Sequence, residues 1–417
     1  MSMENRFDIA IAGAGPAGLA AAVTAMGLRK DLKVLVLEKM SQPAKKLAAS
    51  GNGRGNLSNL QCPCRDEVLD FFKEAGIAVR ADEAGRIYPY SEEAKSVAAV
   101  LCKRAEKLGA VIMTDSEVCN AEADPQGGFR IFVHSKKGKE EIFRAEKLLI
   151  ATGGKSYAVY GSTGDGYRLA RRLGHNVAPL VPSLTAVETE ESLEGLKGLR
   201  MKAEVSLMQK GDIIFRERGE VQFREDCLSG ICIMNMSAFL PVRRTADGRE
   251  EKDNDERQEK PECRIMINTV PDFTAAGLIA FLREKASMDV SVSELTETIV
   301  KKPAADYILK RLSMDGGKPA SRLGMKDIIE IANGLRCLEF TPAGRKGWKE
   351  AQVTKGGVLL EEIDMKTMES RVISGLYFAG EVTDYDGPCG GYNLHNAWLG
   401  GIRAGRAMAQ CPGEITE

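Results

Sequence analysis

The stretch FDIAIAGAGPAGLAAAVTAMGLRKDLKVLVLE, residues 7–38, decides the fold of this chain. Phe7 to Ala12 is a short, mostly apolar run of the kind that forms a parallel strand buried on both faces. Gly13, Gly15 and Gly18 then fit G-x-G-x-x-G, with Ala14, Pro16 and Ala17 between them. An alanine-rich helix follows, a second strand runs from Lys33 to Leu37, and Glu38 stands 20 residues after Gly18. In a dinucleotide-binding unit the first glycine makes the tight turn, the second lets backbone approach a pyrophosphate, and the third permits helix-strand contact. The helix N-terminus offers amides and positive dipole to the phosphates. An acid at the end of the second strand accepts from a ribose diol and disfavours a 2'-phosphate there. A glycine-rich turn alone would need none of this register, so the stretch predicts a nucleotide site.

Ile9 to Leu28 is also a run of 20 uncharged residues, long enough to span a bilayer. Its four glycines and Pro16 argue against a membrane helix, and the mixed charges of MSMENRFD argue against a secretory signal. The expectation is a soluble, cytoplasmic protein that does not engage a membrane. The 417 residues carry 58 Lys plus Arg against 59 Asp plus Glu, a net charge of -1, which disfavours partners recognised by bulk charge, nucleic acid included. Three histidines and ten cysteines without a C-x-x-C pair give no support for a metal site or a dithiol redox motif. Glycine is enriched, at 43 residues, and 18 of these fall in four segments: 13–18, 51–55, 153–166 and 380–405.

The second segment lies within KKLAASGNGRGNLSN, Lys45 to Asn59, where Gly51, Gly53 and Gly55 alternate with Asn52, Arg54 and Asn56. It reads as a loop too polar for core and too rich in donors for a linker. Such a loop lays amides along a ligand beyond its phosphates, which suits FAD better than NAD. Further on, Glu92 to Leu108 reads as an amphipathic helix, Val111 to Met113 as a strand, and Glu117 to Phe143 as a meander. Lys147 to Ile150 is a buried strand leading into ATGG, and a helix from Tyr167 to Leu173 stops at Gly174 and His175, the latter read as a capping residue. Gly161, Gly164 and Gly166 do not form a second nucleotide fingerprint.

The character changes after Pro179. Lys202 to Met208 and Asp212 to Phe215 read as strands, Phe273 to Lys285 and Lys326 to Asn333 as helices. Residues 243–260 hold 13 charged residues of both signs and read as a solvated hairpin tip or disordered loop. Near the C-terminus a strand from Gly375 to Gly380 runs into EVTDYDGPCGGYN and a helix from about Asn393 to Gln410, with Asn393 as a possible N-cap. Amides at that terminus suit an anionic ring oxygen of a reduced flavin. The organisation predicted is an FAD-binding domain in two parts, 1–180 and 346–417, around an inserted substrate domain, 181–345, β-rich over 181–268 and helical over 269–345.

GAGPAGLAA, KKLAASGNGRGNLSN, ATGGKSY with GSTGDGYRLARRLGH, VQFREDCLSG, VTKGGV and GEVTDYDGPCGGYNLHNAWLGG together resemble the YhiN-like bacterial flavoproteins, a family of NAD(P)/FAD-dependent oxidoreductases that includes bile-acid dehydro-reductases and proteins called aminoacetone oxidase. The motifs run in order from residue 7 to residue 405. The resemblance implies a Rossmann-like α/β FAD-binding domain of the glutathione-reductase type, interrupted by a β-barrel-like and helical insertion. It implies FAD on Gly13 to Gly18, Glu38 and Lys39, and the loop of Lys46, Gly51, Asn52, Gly53, Arg54 and Asn56. Also implied are Val118, the turn of Thr152, Gly153 and Gly154, and the C-terminal set of Gly380, Glu381, Asp386, Gly391, Tyr392, Asn393 and Leu394. Ala158 stands where many members have proline, and His395 and Leu399 replace Gln and Ser, so the substrate does not carry over.

The leading expectation is transfer of hydride from NAD(P)H through FAD to the β-carbon of an enone in an apolar small molecule such as a dehydro-steroid. Tyr157, Tyr160, Tyr392 and His395 are the candidates for proton delivery. Two other readings are an FAD-dependent amine oxidase using oxygen and a flavin-containing RNA-modification or binding factor, the latter opposed by the neutral charge.

Overall fold

The structure is a computed structural model and describes residues 5–136, 138–241 and 262–410; the charged segment 243–260 lies outside them. The chain divides into two compact units, Met1–Pro182 with Ala351–Glu417, and Ser183–Glu350.

In the first unit, the long uncharged run becomes the end of a strand, Arg6–Ala12, and a helix, Pro16–Leu28. No helix of the described residues is long and apolar enough to cross a membrane. The strand pairs in parallel with Val34–Leu37 on one side and with Glu140–Ile150 on the other. Val111–Met113 and Leu376–Phe378 extend the parallel array outward in the two directions. Strands Ser116–Ala123 and Phe129–Ser135 form the antiparallel meander. Its third strand and the buried strand before ATGG are one 11-residue element, Glu140–Ile150: the first half pairs with the meander, the second with Leu376–Phe378. A small three-stranded sheet over 58–59, 79–81 and 86–89, and a helix Arg65–Glu74, are additions to the predicted elements. Their apolar runs are too short to show a period.

The C-terminal helix Tyr392–Ala409 lies on Pro16–Leu28 at a distance only glycine permits. A Cβ at Gly401 would stand 2.2 Å from the Ala17 carbonyl oxygen, and one at Gly405 2.6 Å from that of Ala21. Trp398 from the same helix is fully buried, with ring centroids 5.3 Å from Phe72 and 6.4 Å from Phe71, and its indole N–H donates to the Leu57 carbonyl at 3.1 Å. Truncating a ring in such a position costs about 3–5 kcal/mol.

The second unit contains a seven-stranded antiparallel sheet in the order 338–340, 263–268, 200–209, 212–223, 227–229, 187–189, 342–345. The two strands at the ends of this order, Leu338–Phe340 and Pro342–Arg345, are separated in sequence by Thr341 alone. One residue cannot bridge an open sheet, so the sheet curls until its edges meet, which gives the barrel-like form. Four helices, Ala275–Lys285, Val292–Glu297, Lys302–Arg311 and Met325–Arg336, stand between strands 263–268 and 338–340. Thr274 caps the first through the Gly277 amide at 3.0 Å, and Ser291 with Glu294 forms a capping box at the second. The unit has its own core, with Phe223, Ile265, Ile331 and Phe340 fully buried.

Candidate functional site

Because the strands 111–113, 34–37, 6–12, 140–150 and 376–378 are parallel, their carboxyl ends share one edge of the sheet. Ligands of open α/β sheets bind at that edge, where the strand order reverses direction. Gly13, Glu38, Ala151 to Gly154 and Ala379 to Glu381 all follow directly from these ends. From the strand ending at Leu37 to the strand ending at Phe378 there are three inter-strand steps, roughly 14 Å at about 4.8 Å each.

The three glycines of the fingerprint stand in different surroundings. Gly13 has φ +105°, and a Cβ there would meet the Ala151 carbonyl oxygen at 2.4 Å; a Cβ at Gly18 would meet the Gly13 oxygen at 2.0 Å. Gly15 has nothing within 4 Å of that position, and it begins a helix whose N-terminus no side chain caps. Two positions are therefore glycine for the protein's own packing, and the middle one leaves a cradle over open helix amides. Thr152 Cα stands beside Gly13, while its buried Oγ1, without a hydrogen-bond partner among the described residues, lies against Gly166, where a Cβ would stand 2.1 Å from it. An open backbone cradle and an uncapped helix fit a phosphate-bearing dinucleotide. Gly153, which the resemblance gives to the cofactor, has a reason within the protein to be glycine. Its φ is +76°, and a Cβ there would stand 3.1 Å from Ser162 Oγ. The residue turns the chain between Thr152 and Gly154 and lies against the loop of Ser162, so its identity alone is no argument for a ligand.

Glu38 accepts from the Ala14 amide at 3.0 Å and the Met40 amide at 2.8 Å. Burial pushes its carboxyl above the usual range, and the amides of Met40 and Ala14 pull it back. Val118 lies on this side, in the strand whose Ser116 amide donates to the Glu38 carbonyl at 2.8 Å. Lys39 bonds Asp165 at 2.5 Å and also Thr163. A Cβ at Gly161 would meet Met40 at 2.8 Å, which sets the turn after Tyr157 and Tyr160 beside Lys39 and Met40.

The polar segment begins not as a loop but as a short helix, Lys45–Ala49, followed by a tight turn, Ser50–Gly53. Gly51 and Asn52 are both left-handed at φ 57°, and Gly53 and Gly55 follow at φ 85° and 78°. Four such residues in five explain GNGRG, since only glycine and asparagine enter that region cheaply. Arg54 stacks over the Tyr88 ring at 4.9 Å.

At the other end of the edge four motifs converge. Lys46 Nζ donates to Glu381 Oε2 and to Ser156 Oγ, each at 2.7 Å. Glu381 Oε1 accepts from Ser156 Oγ at 3.0 Å and from the Thr354 amide at 2.9 Å, and Thr354 Oγ1 accepts from the Lys155 amide at 2.7 Å. A Cβ at Gly154 would lie 2.5 Å from both Glu381 Oε1 and Thr354 Oγ1. Tyr167 donates to the Glu381 carbonyl at 3.0 Å. Ser156, Thr354 and Tyr167 are not among the residues assigned from sequence; the only signal is a polar residue beside glycine pairs, in ATGGKSY and VTKGG. Nearby Asp384 is raised by burial, with Lys355 opposing.

The C-terminal helix starts one residue earlier than predicted, with Gly391 at the N-cap and no side-chain cap. Asn393 is not the cap. Its side chain instead staples the loop to Gly387, accepting from the amide at 2.9 Å and donating to the carbonyl at 2.7 Å. Asn56, oriented to satisfy both ends of its amide, donates to the Ser58 carbonyl at 3.1 Å and accepts from the Gly391 amide at 3.2 Å, which ties GNGRGN to GGYN.

The proton-delivery candidates are spread over these surroundings. The Tyr157 and Tyr160 rings pair at 5.8 Å around a turn whose Val159 is 72% exposed, and Tyr157 holds an unusual φ of 56°. Tyr392 donates to Gln61 Oε1 at 3.0 Å and is raised by burial. His395 is 3% exposed; its Nε2 donates to the Pro63 carbonyl at 2.8 Å and its Nδ1 accepts from Ser58 Oγ at 2.9 Å. Burial pushes this imidazole below its ordinary value, opposed by the Pro63 bond. His175 is more than a cap. Its amide closes the helix onto the Ala170 carbonyl at 3.0 Å, and its ring lies between Glu362 at 2.9 Å and Ser370 at 2.8 Å.

Among the described residues, no cluster of His, Cys, Asp and Glu could hold a metal. The family model described as HI0933-like protein Rossmann domain matches residues 64–407. The chain belongs to this family. The HI0933-like match begins after the glycine fingerprint, so the cradle at 13–18 is a separate observation. Among the relatives, the 3-dehydro-bile acid delta(4,6)-reductase of Clostridium scindens is 29% identical, over 97% of this chain and 99% of its own. The ribosomal RNA dihydrouridine synthase of Escherichia coli is 28% identical, over 94% and 96%. The solved 3-ketosteroid-delta4-(5alpha)-dehydrogenase of Rhodococcus jostii RHA1 shares the fold, with a TM-score of 0.51 and 16% identity over 99% of this chain and 98% of that one.

Proposed function

We propose that this HI0933-like protein is an FAD-dependent oxidoreductase that reduces a carbon-carbon double bond conjugated to a carbonyl, with NAD(P)H as electron donor and an apolar small molecule of the dehydro-steroid or bile-acid type as substrate. The observation that carries the cofactor is the cradle: Gly15 open over an uncapped helix, with Glu38 at one end of the sheet edge and the uncapped Gly391 helix bonded to Asn56. FAD, when bound, supplies a two-electron carrier between the nicotinamide and the enone. Gly13 to Gly18 would hold the pyrophosphate and Glu38 the ribose diol. The amides at the start of the C-terminal helix, with its dipole, favour negative charge on the ring. Tyr392, partly exposed at that terminus, is the hydroxyl best placed to hand a proton to the α-carbon. His395, with both ring nitrogens occupied, acts by holding Ser58 and Pro63 beneath the helix.

The names of the relatives favour the reaction class. A delta(4,6) system conjugated to a 3-oxo group and the 5,6 bond of uracil beside its 4-carbonyl are both alkenes polarised for hydride addition. The RNA names also support a second reading, in which a uracil in RNA is the substrate. The choice of a small molecule rests on the second unit, where several surface cations are matched by acids. Arg218 bonds Glu204 at 3.0 Å and Asp272 at 3.1 Å, Arg200 lies 3.9 Å from Glu220, and Lys197 lies 2.8 Å from Glu225. A phosphate backbone would have to displace those carboxylates.

Anaerobic stopped-flow tests the proposal. NADH or NADPH should bleach the flavin, and a 4,6-dienone should restore its colour. Failure of both nucleotides, or reoxidation by uridine-containing RNA and not by enones, overturns it.

A further inference from the structure

The node of Lys46, Ser156, Thr354 and Glu381 draws on segments up to 335 residues apart in sequence. An ion pair kept only for stability would be a poor device here. The side chains of Lys46 and Glu381 are 27% and 17% exposed, so the pair is partly desolvated and still borders solvent. Its place is informative. Glu381 follows the strand that lies three inter-strand steps from the strand leading into Glu38, along the same carboxyl edge. A dinucleotide whose ribose is held at Glu38 and whose pyrophosphate lies over Gly15 reaches its other end on this side. The carboxylate is also held firmly, accepting from three donors, Lys46, Ser156 and the Thr354 amide, in a space that Gly154 alone leaves free.

Resting on the reading that this edge holds FAD, we infer that Lys46 and Glu381 are positioning residues that set the charge at the flavin end of the site. The Glu381 carboxylate opposes the negative charge a reduced flavin acquires, and the Lys46 ammonium neutralises that carboxylate. The two charges act with opposite sign on the same equilibrium. Ser156 holds both groups and contributes no charge.

The test is the flavin midpoint potential, measured by xanthine oxidase titration with redox dyes on purified holoprotein, together with released FAD per chain. Lys46→Met should lower the potential and Glu381→Gln should raise it. The double variant should return close to the parent, and Lys46→Arg should restore the parent value. Ser156→Ala, which leaves both charges, guards against a folding defect by shifting the potential little while keeping FAD. If the variants retain FAD and the two single changes shift the potential in the same direction or not at all, the charge-setting role is overturned while the FAD reading stands. Parent protein that is colourless and releases no FAD overturns that reading, and the inference with it.

Discussion

The carboxyl edge of the first unit and the sheet of the second place different demands on their residues. Along the edge, identity is fixed by distance: Cβ atoms at Gly13, Gly18 and Gly154 would stand 2.0 to 2.5 Å from protein oxygens. In the second unit one glycine is fixed in the same way, Gly230, whose Cβ would stand 2.1 Å from the Glu220 carbonyl oxygen, but Gly195, Gly198 and Gly211 have nothing within 4 Å of that position and only a positive φ to recommend them. There the sheet is held by a core of Phe223, Ile265 and Phe340 and by ion pairs across its strands. The edge is specified mainly by what cannot fit, the second unit mainly by area buried, and substitutions tell them apart.

The largest effect expected is from Gly18→Val. Its Cβ has no room against Gly13, and overpacking at backbone costs about 3 kcal/mol or more; denaturant midpoints should show a loss of that order, whereas Gly211→Ala should cost about 1–2 kcal/mol, the strain of a left-handed residue. Phe340→Ala should cost a similar amount, about 3–5 kcal/mol, since Phe340 is fully buried with Phe223 and Tyr307 each at 6.2 Å. This loss should leave bound FAD per folded chain unchanged, and parallel loss of FAD would show that the two regions do not differ as argued.

Acidification should act on the first unit. His175 and His395 are each held below the ordinary imidazole value by burial, with Glu362 and the Pro63 carbonyl opposing. A depressed histidine contributes stability that is present above the unfolded value of about 6.5 and is lost as pH falls through the folded one. Melting temperature should therefore decline below about pH 6.5, and His175→Gln with His395→Gln should flatten that decline even though both lower stability at pH 7.

Smaller in stability but sharper in function is Gly15→Ala. Nothing in the protein obstructs this Cβ, so the cost should be about 1 kcal/mol or less, yet the protein should purify without flavin; a yellow Gly15→Ala would remove the cradle from the argument. Least of all, Lys197→Ala, with side chains of the pair 67% and 77% exposed, should stay within about 0.5 kcal/mol of the parent.

Much of the edge is legible in the sequence because its requirements are local. Gly13, Gly15, Gly18 and Glu38 are set by the turn, the helix start and the second strand, all within 26 residues. The GNGRG segment announces its left-handed backbone by composition, though the helix Lys45–Ala49 ahead of it is hidden by shortness. Gly153 shows the limit of such reading, since a glycine pair after a strand looks the same whether a ligand or the Ser162 loop lies against it. The cap falls at Gly391 and not at Asn393, because an asparagine near a helix start bonds as readily to a preceding loop as to helix amides.

Sequence alone thus determined the strand-turn-helix geometry of the nucleotide cradle, since each residue there answers to neighbours a few positions away. Only the tertiary structure decided that Lys46 meets Glu381, that Ser58 and Pro63 occupy both nitrogens of His395, and that Glu362 and Ser370 hold His175. Those partners are 187 to 337 residues distant. Hydrogen bonds over such spans depend on which strands the sheet sets side by side, and no local pattern of apolar and polar residues encodes that order.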